Sequence, residues 1–344
     1  MAPPWFPDPG SLQREGVAQE ELHAAATHLR RARFGRRVFV RAVVEVSNFC
    51  RENCHYCGMR RDNRQLDRHR AEADSLAEQL IRSSLTSITD VNIQAGEDPV
   101  VVRNVVVPLV RRLRRETQLG ISVCLGTLSP ELTRELREAG ATTYIIKFEL
   151  ADPLLYEQVE APGTLNERTN YIRWLAGEGW KVSSGFISGL PGQEIASVLQ
   201  NFRLAAELPL IGCSVSPFVA GGETPLRNAP SGSIDLALNC MASLRLMRPD
   251  WVIPAVSALN IAEPGTGYRR GLRAGANLCT INLTPDSLRA DYLLYKRERF
   301  IMTEERILEA LNAEGLEPST TSLAEHLENG QEFHLASESA IHSG

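Results

Sequence analysis

Three cysteines, Cys50, Cys54 and Cys57, stand in one short stretch, Ser47-Asn48-Phe49-Cys50-Arg51-Glu52-Asn53-Cys54-His55-Tyr56-Cys57-Gly58. The spacing Cys-x3-Cys-x2-Cys lets one loop wrap three thiolates around a face of an iron–sulfur cube. Three thiolates fill three of four irons, so the fourth keeps an open coordination position, which is what catalysis at a metal needs. A zinc site would want a fourth ligand, such as His55, His69 or a distant residue. Structural zinc motifs usually carry a second cysteine pair, and the sequence has none. The spacing therefore favours a cluster over zinc.

The composition suits such a site. Seven cysteines, an odd number, in 344 residues without a visible signal peptide point to metal binding or chemistry rather than a disulfide framework. The net charge of −5 gives no general pull toward nucleic acid or membrane. No apolar run reaches the roughly 18 residues of a membrane span. The expectation is a cytoplasmic protein. Two arginine runs, at residues 30–37 and 111–115, read as solvated helix surface.

The elements that must position the cysteines follow from a rhythm of short apolar runs alternating with amphipathic stretches, the mark of βα units. Strands are expected at 39–46, 88–94, 121–127, 144–149, 182–188, 213–218, 252–258 and 278–283. Helices are expected near 72–84, 100–116, 164–178, 194–207, 233–247 and 266–275. The clearest helix begins with Ser129 as N-cap and Pro130 at the first position, and stops at Gly140. Eight such units predict an α/β fold, a (β/α)8 TIM barrel. An open doubly wound sheet is second, because the first strand–loop unit lacks a Gly-rich dinucleotide fingerprint. The division expected is a lead-in helix over 1–37, the barrel over 38–290, a helical extension over 291–329 and a disordered tail over 330–344.

From the cysteine triplet with Tyr56 at its aromatic position, after the first strand, the chain is identified as a member of the radical S-adenosylmethionine (radical SAM) superfamily. The resemblance covers roughly residues 38–290 and looks closest to the biotin-synthase-like branch. Within that branch it is nearest to the HydE maturases of [FeFe]-hydrogenase, then to the PylB 3-methylornithine synthases. Residues 47–63, 93–99 (Ile-Gln-Ala-Gly-Glu-Asp-Pro), 146–149 (Ile-Lys-Phe-Glu), 189–193 (Gly-Leu-Pro-Gly-Gln) and 217–228 carry it.

The resemblance implies a [4Fe–4S] cluster on Cys50, Cys54 and Cys57, and SAM as second cofactor. Tyr56 would pack near the adenine. The segment Gln94-Ala95-Gly96-Glu97 would bind the SAM amino group; Ala95 departs mildly from the usual Gly-Gly-Glu. Glu149 would bind the ribose hydroxyls, Arg168 the carboxylate and Ile187 the adenine. A bidentate guanidinium suits a carboxylate. One electron entering the sulfonium would yield methionine and a 5′-deoxyadenosyl radical, which attacks a substrate in the barrel. The implied partners are a small-molecule or carrier-bound substrate and a low-potential electron donor such as flavodoxin or ferredoxin, with no nucleic acid and no membrane.

Strand parity bears on the other cysteines. Cys124 shares its face with Ser122 and Gly126 and is expected in the lumen; the resemblance, not parity, implies that Thr127 faces the substrate cavity. Cys213 and Cys279 share theirs with apolar neighbours. A second iron–sulfur cluster, as in sulfur-inserting synthases of the lipoyl or biotin type, is therefore the lesser expectation, and biotin synthase's strand-five cysteine is matched here by Ser183. A non-enzymatic iron–sulfur carrier is a further alternative, although carriers usually complete their ligation with four cysteines. Residues 285–344 contain no cysteine, and their Gly315-Leu316-Glu317-Pro318 resembles PylB.

Overall fold

The computed structural model describes residues 5–83, 85–295 and 300–329. The expected tail over 330–344 lies outside the described residues. Strand β1 (Arg37–Ser47) shows how the sheet is specified. Val38, Val40, Ala42, Val44 and Val46 are fully buried, while the alternate residues Arg41, Val43 and Glu45 line an internal cavity. The period-2 pattern puts one face against surrounding helices and the other into a lumen.

The strands β2 (Asp90–Ala95), β3 (Gly120–Cys124), β4 (Thr143–Ile145), β5 (Lys181–Ser188), β6 (Gly212–Pro217) and β7 (Leu278–Asn282) join it. Their order is β6-β5-β4-β3-β2-β1-β7, and all neighbours are parallel. The strand expected at 252–258 does not form. Val252 bridges Gly212 and Pro254 bridges Leu278, and residues Ser257–Ala262 are helical. Pro254 has no N–H to give a ladder, so this position spans the gap between β6 and β7 with single bridges. The architecture is the expected TIM-type parallel α/β barrel, with its eighth position reduced to a seam.

The helices fall close to expectation, at Ala73–Arg82, Pro130–Ala139, Leu165–Gly177, Ile195–Glu207, Ile234–Met247 and Gly267–Arg273. Two caps set the ends that matter below. Ser129 accepts from the Leu132 N–H, and Gly140 ends that helix at φ 118°. Thr164 and Glu167 form a capping box that fixes the start of Leu165–Gly177.

The lead-in helix Gly16–Phe34 packs against Ile234–Met247. Its arginine run is not wholly solvated. Arg30 is 1% exposed and donates to the Gly35 carbonyl, and burial lowers its pKa to about 10. The C-terminal segment closes the barrel's N-terminal end. Strand β8 (Glu317–Pro318) pairs with the start of β1, and Leu323 packs with Phe39, Val252 and Leu278.

Candidate active site

The cysteine loop leaves β1 at the C-terminal rim of the barrel, where TIM-type folds carry function. It is held from several sides. The Asn48 amide donates to the carbonyls of Asp67 and Asp291, and its own oxygen accepts from the His69 N–H. Arg68 donates to the carbonyls of Asn48, Met59, Arg60 and Asn63. Arg70 grips the buried Asp98 with two hydrogen bonds, at 2.6 and 3.0 Å, and lies 4.0 Å over the Phe49 ring. Tyr292 and Leu293 pack on Met59 and Leu66 beneath the loop.

The loop meets the end of β2 at Gly96. A β-carbon there would sit 2.3 Å from the Phe49 carbonyl oxygen and 2.9 Å from Cys50 Cβ. Glycine is required for this backbone approach. The next N–H, of Glu97, donates to Cys50 Sγ at 3.4 Å. The resemblance placed Gly96 in the segment that meets the SAM amino group; the structure shows that it first admits the cysteine loop.

Cys50, Cys54 and Cys57 line one cavity of about 230 Å3 with Tyr56, Gln94, Gly96, Glu97, Cys124, Glu149, Arg168 and Ile187. Burial raises the pKa of all three thiols, that of Cys57 to about 12. Buried thiolates need compensating positive charge, which a metal group supplies. Among the described residues no three His, Cys, Asp or Glu side chains gather where one metal ion could sit. Thiolates on a cube bind separate irons and need no common point, so the donor set fits a cluster better than zinc.

Glu97 sits between two arginines. Its Oε1 accepts from Arg168 at 2.8 Å and its Oε2 from Arg51 at 3.2 Å. Arg168 also donates to Thr127 Oγ1 at 3.0 Å, and Arg51 to the Thr127 carbonyl at 2.8 Å. Glu97 therefore orients guanidinium groups, a role that no motif spacing displays. Burial works against the Arg168 charge, but Glu97 prevails and raises its pKa. Arg168 Nε is buried without a hydrogen-bond partner, which leaves polar capacity for a ligand.

Glu149 is a non-glycine residue at φ +65°, held there by hydrogen bonds from its N–H to Gly185 O and from the Ile187 N–H to its carbonyl. Such backbone costs roughly 1–3 kcal/mol and gathers at functional sites. Burial raises the pKa of its carboxyl, opposed by Lys147 and Arg168. Thr127 does not line the cavity. The chain turns at Gly126, at φ +71°, and the Thr127 hydroxyl is spent on Arg168.

Below this cavity lies the barrel lumen, about 170 Å3, and Gln94, Cys124, Ile145, Lys147, Ser216, Leu294 and Tyr295 line both. Cys124 is in the lumen as parity predicts. Cys213, Cys240 and Cys279 are buried and line neither space, so of the four other cysteines only Cys124 faces it. Ser183 lines the lumen too. His55 pairs with Glu160 at 3.2 Å, and neither it nor His69 lines either space.

Sequence reasoning missed the lumen's two cations. Arg41 donates to Thr280 Oγ1 at 3.3 Å and Lys147 to Ser216 Oγ at 3.2 Å, and neither forms an ion pair with a described residue. Burial lowers the Arg41 pKa, but a guanidinium stays charged. Burial also opposes the Lys147 charge, yet Tyr295, Glu149 and Cys124 hold its pKa above the usual lysine value. The missed signal was charge on the inward parity of otherwise apolar strands.

A parallel barrel with a three-cysteine loop at its C-terminal rim defines a class of metal-dependent barrel enzymes. The comparisons make it specific. Residues 44–205 match the Radical SAM superfamily. The chain is 33% identical over 276 residues to the [FeFe] hydrogenase maturase subunit HydE of Thermotoga maritima, covering 80% of this chain and 79% of that protein. It is 29% identical over 313 residues to the 3-methylornithine synthase of Methanosarcina barkeri, covering 89% and 87%. The crystal structure of methylornithine synthase (PylB) superposes with a TM-score of 0.82 at 24% identity, covering 95% of this chain and 97% of that one. The chain belongs to the radical SAM superfamily. It is an enzyme of the kind that uses a [4Fe–4S] cluster and SAM. Among the described residues no helix is long and apolar enough to cross a membrane.

Proposed function

We propose that Cys50, Cys54 and Cys57 hold the [4Fe–4S] cluster and that the cavity they line binds SAM. In this reading Arg168 meets the SAM carboxylate, Gln94 and the Gly96 backbone meet its amino group, Glu149 meets the ribose hydroxyls, and Tyr56 and Ile187 flank the adenine. Glu97 positions Arg168 rather than touching SAM. Bound together, the cluster and SAM supply a 5′-deoxyadenosyl radical. The chain's own residues orient the cofactors and keep water from the lumen. The carrying observation is that all these residues line one cavity that opens into the lumen.

The second substrate in this reading is a small carboxylate-bearing molecule bound in the lumen. Among the described residues two inward cations, Arg41 and Lys147, outnumber the lumen's one carboxylate, Glu45, and support an anionic ligand, because a buried charge is most stable when paired. The relatives' names, a hydrogenase maturase and a 3-methylornithine synthase, are compatible with small-molecule work in such a space. A low-potential carrier such as flavodoxin or ferredoxin supplies the electron.

Anaerobic reconstitution, reduction with dithionite and addition of SAM test the first part. About four irons per chain and release of 5′-deoxyadenosine are expected. A fully loaded, reduced protein that releases none would sink the proposal. Stimulation of that release by small amino acids and other carboxylates, but not by their amides, tests the second part.

A further inference from the structure

The electron for SAM cleavage must cross the protein surface close to the cysteine loop. A groove lies there between that loop and the loop after β6, lined by Arg60, Asp62, Asn63, Arg64, Glu223 and Arg227, among others. Its floor is coupled to the site by two hydrogen bonds. Asn63 Nδ2 donates to the Gly58 carbonyl at 2.7 Å, and the Arg60 N–H donates to the Cys57 carbonyl at 3.2 Å. The groove is thus one hydrogen bond and one peptide unit from a cysteine at the cavity.

The charge of this face runs against that of the molecule. Arg60, Arg61, Arg64 and Arg227 line or border the groove against Asp62 and Glu223, an excess of two positive charges in a chain of net charge −5, while Arg51 and Arg70 of the same loop are paired with Glu97 and Asp98. Arg61, Arg64 and Arg227 are exposed. Among the described residues Arg61 is spent only on the neighbouring Asp62 and the Arg51 carbonyl, both of them exposed residues. Arg64 and Arg227 form no side-chain hydrogen bond or ion pair with a described residue. A local field opposite in sign to the whole steers an oppositely charged partner to one face.

We propose that the face formed by Arg61, Arg64 and Arg227 is the docking surface for an acidic, low-potential one-electron carrier protein. The inference rests on the cluster assignment above. In the transfer, one electron leaves the reduced carrier and enters the oxidised cluster. The carrier departs oxidised by one electron, and no bond or proton changes place.

The test uses the reconstituted full-length enzyme with reduced bacterial flavodoxin in one arm and dithionite in the other. Reduction is followed by loss of the cluster's visible absorbance in stopped flow. The variant carrying Arg61→Glu, Arg64→Glu and Arg227→Glu is expected to be reduced by flavodoxin about 10- to 100-fold more slowly at low salt, the range that steering spans. Its dithionite reduction and dithionite-driven 5′-deoxyadenosine release stay at the parent's level. The matching triple Arg→Lys variant keeps the flavodoxin rate, and about 0.5 M salt brings the parent down toward the Glu variant. A flavodoxin rate within twofold of the parent in the Glu variant, or a parent rate insensitive to salt, overturns the proposal. So does a face that binds a single-stranded RNA probe and loses it in the Glu variant while flavodoxin reduction is unchanged. If the parent releases no 5′-deoxyadenosine even with dithionite, the cluster reading fails instead, and the docking result does not decide it.

Discussion

The two ends of the barrel each bury an arginine and use it differently. At the mouth, Arg168 faces a carboxylate, Glu97, and keeps a buried Nε without a partner. At the foot, Arg245 forms no ion pair with a carboxylate of the described residues. It donates to the carbonyls of Gly275, Pro249 and Trp251 and to Asn277 Oδ1, with the Phe34 ring 5.1 Å away, and burial lowers its pKa to about 9. The foot is closed by Leu323, whose N–H is accepted by the buried Asp90. The mouth carries left-handed Glu149, the buried thiol of Cys54 between the half-buried Cys50 and Cys57, and the unpartnered Arg168 Nε. At the foot the guanidinium is spent on acceptors of the protein and the C-terminal segment holds the barrel shut. At the mouth the guanidinium keeps a free donor beside strained backbone, which is the condition for binding something else.

That contrast can be broken most directly at the mouth. Replacing Cys50, Cys54 and Cys57 together by Ala is expected to remove bound iron and reduce 5′-deoxyadenosine release to background, while far-ultraviolet circular dichroism stays that of the parent. Full iron retention in the triple variant would move the cluster elsewhere. At the foot, Arg245→Met strands the carbonyls of Gly275, Pro249 and Trp251, while Asn277 Oδ1 keeps the Ile253 N–H, and is expected to cost about 3–5 kcal/mol in urea unfolding. Iron content per folded chain is unchanged. A loss below about 1 kcal/mol would mean that water or backbone shifts replace the guanidinium.

Lys147 lies between the ends and sharpens the boundary. Lys147→Met removes one charged hydrogen bond to the substrate, worth roughly 1.5–3 kcal/mol, or about 10- to 100-fold in the substrate concentration that half-stimulates 5′-deoxyadenosine release. Basal release without substrate falls less than that, and equal losses of both would place Lys147 at SAM instead.

The smallest effect concerns the lead-in helix. His23 is half-buried against Asn239 Oδ1 at 3.1 Å, and burial lowers its pKa below the usual 6.5. Because the folded value lies below the unfolded one, docking is fully stable above pH 6.5. It weakens as pH falls from there toward the folded value. Amide exchange along Gly16–Phe34 should rise over that window, more than exchange in β1, and His23→Gln should abolish the difference.

The sequence by itself determined the class of fold and the three-cysteine loop, because both are local codes. The period of apolar residues fixes strands and helices, and three thiols within one loop need no distant partner. The Ser129 cap was equally local, as was the inward parity of Cys124. Tertiary structure decided what depends on residues far apart in the chain. Pro254 turned an expected strand into a seam because β6 and β7 lie on either side of it. Thr127 left the cavity because Arg168, far along the chain, claims its hydroxyl. Glu97 became a clamp for two arginines, and Arg30 went inside because two helices pack there. The charges of Arg41 and Lys147 stood in the sequence as isolated letters. Only closure of the barrel brings them to one lumen, since which polar groups share a cavity is set by long-range packing, not by spacing.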